Sequence, residues 1–300
     1  MRAHLSMTVV LFIVALSLAC FGASGCSAEL SPTPRPTPTP QPAPMRLPAI
    51  SADDVEGTPS VDLTIVFNNV EYDRSLGSSW GFGCYIEYGE RRILFDTGGD
   101  GPMLISNMEK LGIDPSTIDA IVLSHFHGDH TGGLSSVLAA GGCPVVYMLR
   151  SFDQSLKAQA RDGGELREVS GGGEICKGVY TTGEVPGNPG EQALAIETSR
   201  GLVVVTGCAH PGVHTLVRRA IEVTGGDVYL VLGGFHLGSA AGGRISRILD
   251  DLQGMGVKKV APSHCTGERA TDMFAQRYGD DFIASGVGYR LVIEGSGGAD

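Results

Sequence analysis

The chain has 300 residues, 42% of them hydrophobic, enough for a sizeable core in one large domain or two small ones. Its 22 Lys and Arg against 33 Asp and Glu leave a net charge of −11, which excludes a general nucleic-acid binder held by phosphate contacts. With 18% charged and 6% aromatic residues it is neither a charged disordered tail nor a base-stacking platform, and its 44 glycines, lacking a G-X-Y period, predict tight loops rather than collagen.

Arg2 and His4 precede an apolar run from Val9 to Ala19, and small residues follow as far as Cys26. This predicts a secretory signal peptide over 1–26, since the apolar run falls short of the roughly 20 residues that span a bilayer. Ala23-Ser24-Gly25-Cys26 resembles a bacterial lipobox, in which Cys26 becomes the lipidated first residue; an ordinary signal with a chance Cys is the competing reading. Within 27–60, Pro alternates from Ser31 to Pro44, which forbids helix and sheet and favours an extended stalk. The expected arrangement is an extracytoplasmic domain, 61–300, tethered to a bacterial cell membrane by an N-terminal lipid. Five cysteines remain beyond the signal (84, 143, 176, 208 and 265), an odd number without a CxxC pair, so no disulfide framework is implied.

From residue 61 the pattern alternates. Residues 61–67 read as a strand, and 83–88 with 92–95 as a hairpin around Gly89-Glu90. A helix over 101–111, a buried strand over 118–123, a short helix over 133–140 and a strand over 145–147 follow. Residues 150–175 are Gly- and charge-rich and give no clear assignment. A second hairpin (193–197, 202–206) leads to a helix (213–223), a strand (228–232), a helix (244–252), a strand (259–261), a helix (268–278) and a strand (289–294). Hairpins followed by strand–helix alternation, twice over, predict an α/β fold of two mixed sheets between helices, in one catalytic domain.

Ser124-His125-Phe126-His127-Gly128-Asp129-His130 follows the buried strand at 118–123. Residues 125 and 127 at a strand end point to the same side and can grip one metal ion. A turn at Gly128 would return Asp129 and His130 to hold a second. Imidazole plus carboxylate suits two divalent ions, zinc first, with manganese or iron as alternatives. His236 follows Gly233-Gly234 at a strand end and could be a ligand, an acid for the leaving group or a substrate contact. Asn68-Asn69 ends the first strand and could face the cleft.

The HxHxDH pattern resembles the signature of the metallo-β-lactamase superfamily, over roughly residues 61–294. Asp96-Thr97-Gly98 matches its early strand end. Thr206-Gly207-Cys208-Ala209-His210, Gly233-Gly234-Phe235-His236 and Ser263-His264-Cys265-Thr266-Gly267 resemble a branch containing an archaeal synthase that joins a pterin to an aminobenzene ribofuranosyl phosphate. The resemblance implies an αββα sandwich. It implies His125, His127 and His210 on one ion and Asp129, His130 and His264 on the other, with Asp96 orienting a ligand imidazole from behind. Two departures stand out. Cys208 occupies the place where many superfamily hydrolases carry a bridging Asp, and Trp80-Gly81-Phe82-Gly83 stands where the synthase branch carries Glu-His-Gly.

Three functions fit. The first is a metal-dependent hydrolase of a small ester, lactone, amide or phosphate, with Asp129 and His236 as the catalytic side chains. The second is a transferase like the synthase. The third is a non-catalytic metal-binding lipoprotein.

Overall fold

A computed structural model describes residues 57–297; the expected signal peptide, the lipobox and the Pro-rich run lie outside the described residues. Among the described residues no helix is long and apolar enough to cross a membrane. The first half runs β1 (Val61–Asn68), β2 (Phe82–Tyr88), β3 (Arg91–Phe95), α1 (Gly101–Lys110), β4 (Ala120–Val122), α2 (Gly128–Thr131), α3 (Leu134–Ala139), β5 (Val145–Leu149), α4 (Gln154–Gly163) and β6 (Glu165–Val169). The second runs β7 (Gly171–Cys176), β8 (Val179–Gly183), β9 (Leu194–Ile196), β10 (Leu202–Thr206), α5 (Val213–Thr224), β11 (Val228–Gly234), α6 (Gly242–Gly254), β12 (Lys259–Ser263), α7 (Glu268–Tyr278) and β13 (Arg290–Ile293).

These strands form a seven-stranded sheet in the order β13-β1-β2-β3-β4-β5-β6 and a six-stranded sheet in the order β12-β11-β10-β9-β8-β7. Strand β10 shows why the two must stack. Its run Leu202-Val203-Val204-Val205 is buried throughout. Because strand side chains alternate, Val203 and Val205 join Leu230 and Leu232 of β11 in the core shared with the first sheet. Val204 and Val231 turn the other way, into a second core with Leu216 and Val217 of α5 and Ile245 and Leu249 of α6. A strand covered on both faces has no polar side, hence the continuous apolar run. The result is the αββα sandwich expected from the sequence.

Residues 150–175, unassigned from the sequence, hold α4, β6 and most of β7. Helix α4 buries only Lys157 and Ala160 and starts on Asp153, whose side chain accepts from the Ser155 and Leu156 amides. Strand β6 is the exposed edge of the first sheet, and its Glu165-Leu166-Arg167-Glu168 run carries little apolar signal. Strand β8, also not expected from the sequence, is polar at Thr181 and Thr182 although both are buried.

Candidate metal centre

The C-terminal ends of β1, β3, β4, β10, β11 and β12 open on one edge of the sandwich, where open α/β sheets place their ligands. Four residues there, Asp96, Ala209, His236 and His264, have φ of 58, 61, 50 and 52°. Non-glycine residues in this left-handed region cost about 1–3 kcal/mol each, a strain that collects at functional sites.

His125 and His127 lie beyond the end of β4 in the turn that starts α2, not on the strand itself. The period-2 argument therefore does not apply to them. The turn still brings them together, with His125 Nε2 3.1 Å from His127 Nδ1. The expected turn at Gly128 is the single-turn helix α2, which carries Asp129 and His130 inward. The His210 ring centroid lies 4.8 Å from that of His125 and 4.9 Å from that of His127. On the other side, Asp129 Oδ2 stands 3.5 Å from His130 Nε2 and 3.3 Å from His264 Nε2. Each of the two proposed ligand sets is thus gathered in one place.

Cys208 joins them. Its Sγ lies 3.2 Å from His130 Nε2. Ligand atoms of Asp129, His130, Cys208 and His264 fall within 4.8 Å of one another, as do those of His125, Cys208 and His210. His236 sits at the mouth, its ring 4.2 Å from that of His210, grouped with Cys208 and Cys265. His214 stands apart in α5, its Nε2 3.9 Å from Asp251.

A divalent cation fits this arrangement. His210 Nε2 is buried without a hydrogen-bond partner, a costly state for a polar atom unless something else occupies it, and His264 Nε2 meets only the Asp129 carboxylate, itself a metal-ligand type. Burial, with the neighbouring imidazoles, pushes His125 far below its ordinary pKa and His210 down to about 4; His127 is lowered too. All three are therefore neutral at pH 7, as ligation requires. Burial would also lower His130, but Asp96 and Asp129 outweigh it and raise it to about 10. Burial opposes charge on Asp129 as well, yet the imidazoles of His130 and His264 hold its carboxyl well below the usual range.

A supporting layer fixes these side chains. Asp96 accepts from the Ser124 amide and hydroxyl, each at 2.7 Å, and its Oδ2 lies 2.7 Å from His130 Nδ1. The Ser124 hydroxyl also meets His125 Nδ1 at 2.9 Å. Asn69 Oδ1 lies 2.7 Å from His264 Nδ1, and its amide donates to the His264 carbonyl at 3.2 Å. Glu191 belongs to this layer without any mark in the sequence. Fully buried, it accepts from the amides of Cys208, Ala209 and His210, each at 2.8 Å, and so holds the loop that presents Cys208 and His210. No motif betrays it, because its work is done on backbone rather than on a ligand.

A family model for the metallo-beta-lactamase superfamily matches residues 84–264, from β2 through His264. The chain belongs to the metallo-β-lactamase superfamily. Among curated relatives it is 31% identical over 239 residues to a 7,8-dihydropterin-6-methyl-4-(beta-D-ribofuranosyl)-aminobenzene-5'-phosphate synthase of Methanocaldococcus jannaschii, covering 64% of this chain and 81% of that one. A solved metal-dependent hydrolase of the beta-lactamase superfamily is 25% identical with a TM-score of 0.66, over 77% of this chain and 98% of that chain. A solved diphosphatase of the PhnP family shares the fold, with a TM-score of 0.53 at 13% identity over 79% of this chain and 98% of that one. Superfamily membership supports a metal-dependent enzyme at the general level, and the cluster is suited to divalent metal.

Proposed function

We propose that the chain is an extracytoplasmic hydrolase that uses two divalent metal ions, zinc in the first instance, to cleave a small ester, lactone, amide or phosphate. The observation that carries this reading is the convergence of the two ligand sets around His210 Nε2, which is buried without a hydrogen-bond partner. When bound, the cations would supply Lewis acidity and a water acidified toward neutrality. His125, His127 and His210 would hold one ion, and Asp129, His130 and His264 the other. Asp129, between two imidazoles and only part-buried, can orient the attacking water and accept its proton. His236 stands at the open side. Its sulfur neighbour Cys265, as the hydrogen-bond acceptor, raises its pKa against the effect of burial, and in its imidazolium form it can give a proton to the leaving group. The substrate is a small molecule rather than nucleic acid, in keeping with the net charge of −11.

A transferase like the Methanocaldococcus jannaschii synthase is the second reading, favoured by the 31% identity. Assays on nitrophenyl acetate, phosphate and phosphodiester and on a lactone panel, with and without chelator, test the first reading. Chelator-sensitive turnover that His127→Ala abolishes is expected; unchanged turnover in either case overturns it. The lipid tether at Cys26 is proposed from the sequence, and a mass spectrum of membrane-released protein should find a diacylglycerol-modified N-terminal Cys26.

A further inference from the structure

The loop between β1 and β2 and the turn between β12 and α7 enclose a cavity of about 500 Å³, within the size range of small-molecule pockets. His264 and Cys265 form its wall toward the metal centre, so the cavity and the histidine cluster adjoin across these two residues. The other walls are largely carbon, from Val70, Trp80, Pro262, Phe282 and Ala284. Trp80 is 57% exposed, and its ring packs on His264 with centroids 4.8 Å apart. Such an exposed apolar surface beside a polar centre gains from being covered. The carboxylates in the lining are Glu268 and Asp272, and no Lys or Arg is among the described residues that line it. Glu268 stands in the first turn of α7, so the partial positive charge of that helix end already faces a carboxylate.

An anionic group entering here would exchange water for carbon and meet two like charges. A neutral apolar group meets neither cost. We propose that this cavity receives an uncharged apolar arm of the substrate, of the size of a medium-length acyl chain, while the scissile bond lies at the histidine cluster. The proposal rests on the hydrolase reading and narrows it to neutral esters, lactones or amides, setting phosphorylated arms aside.

Trp80 is the single tryptophan of the chain, so its emission reports occupancy without any turnover. Metal-loaded full-length protein is titrated with octanamide. A saturable change in Trp80 emission is expected, with affinity at least about tenfold weaker in Ala284→Phe, which fills the cavity. Ala284 is exposed, and a melting curve checks that the variant folds. No change in emission, or equal binding by Ala284→Phe, overturns the proposal. In parallel, kcat/KM is compared for nitrophenyl acetate, nitrophenyl octanoate and the mono-nitrophenyl ester of suberate. Octanoate should exceed acetate by about tenfold or more, and the suberate ester, which ends in a carboxylate, should lose that gain. A suberate ester cleaved as well as octanoate overturns the proposed charge preference. Octanamide binding that depends on Ala284, with neither these esters nor the lactone, amide, phosphate and phosphodiester substrates cleaved, supports the cavity and sinks the hydrolase reading instead.

Discussion

Asp96 holds His130 from behind, with its Oδ2 2.7 Å from His130 Nδ1 and both side chains fully buried. That contact leaves Nε2 as the free face of the ring, turned toward Asp129 and Cys208. Partners of this kind fix ring orientation, and their loss costs about 10–100-fold in metal affinity. Asp96→Asn places an amide where Ser124 and His130 both require an acceptor. Competition with a chromophoric chelator should show a loss of that size at the second ion position. Wild-type affinity in the variant would remove Asp96 from the supporting layer.

Glu191 lends itself to a similar experiment on a different link, the backbone of the Cys208–His210 loop. Desolvation pushes its pKa up to about 7 against the pull of its amide donors, so the carboxylate is costly to bury and is retained for those three contacts. Glu191→Gln keeps one acceptor oxygen and sets an NH2 against an amide donor. A buried donor left unsatisfied costs about 1–3 kcal/mol. Urea melts of the metal-free protein should register that loss, together with weaker metal retention. A variant as stable as wild type would show that the loop is held by other means.

Cys208 stands where many superfamily hydrolases carry a bridging carboxylate, and its sulfur lies among the ligand atoms of both sets. Thiolate ligation gives cobalt-substituted proteins an intense near-ultraviolet band. That band is expected in the cobalt-loaded protein and should vanish in Cys208→Ser, with affinity falling about tenfold. Absence of the band in the parent protein would make Cys208 a packing residue.

The chemistry of this site was more legible than its scaffold. Histidines and carboxylates at fixed spacing announce themselves in any register, so His125, His127, Asp129 and His130 could be picked out without knowing that they lie in a turn. Long apolar runs such as β10 and β11 were readable because both faces are buried. Strand β6 and helix α4 were not, because an edge strand and a surface helix with two buried residues leave little periodicity. Glu191 and Ser124 escaped for another reason. They act through backbone amides and a neighbouring carboxylate, contacts that only the folded chain brings together.

Acid should weaken the metal-free protein before it affects the loaded one. His210 is held down to about 4 by burial, and His125 and His127 are lowered as well. In the unfolded chain these imidazoles titrate near 6.5. Between 6.5 and about 4 the unfolded state therefore binds more protons, and stability falls as pH falls. His130 is raised instead, so its contribution is lost only as pH rises toward 10, outside that window; Glu191, raised to about 7, acts with the opposite sign inside it and offsets one of the three histidines. Melting temperatures of the chelated protein should drop between pH 6.5 and 4, and more gently in His210→Gln. A flat profile would mean that these rings are not buried neutral.

Gly207 separates steric from chemical explanations of the centre. A Cβ there would lie 2.1 Å from Ser124 Oγ and 2.8 Å from Asp96 Oδ2. Neither atom can yield freely, since the Ser124 hydroxyl is shared between Asp96 and His125 and Asp96 holds His130. One added methyl should therefore displace the supports of both ligand sets at once. Overpacking of this kind costs about 1–3 kcal/mol, so Gly207→Ala should lower the melting temperature and release metal. Gly128→Ala is the matched comparison, because a methyl at that position would have no heavy atom within 4 Å and α2 tolerates alanine. It should keep its stability and its metal. Equal behaviour of the two variants would show that β10 and β4 are not packed this tightly at their ends.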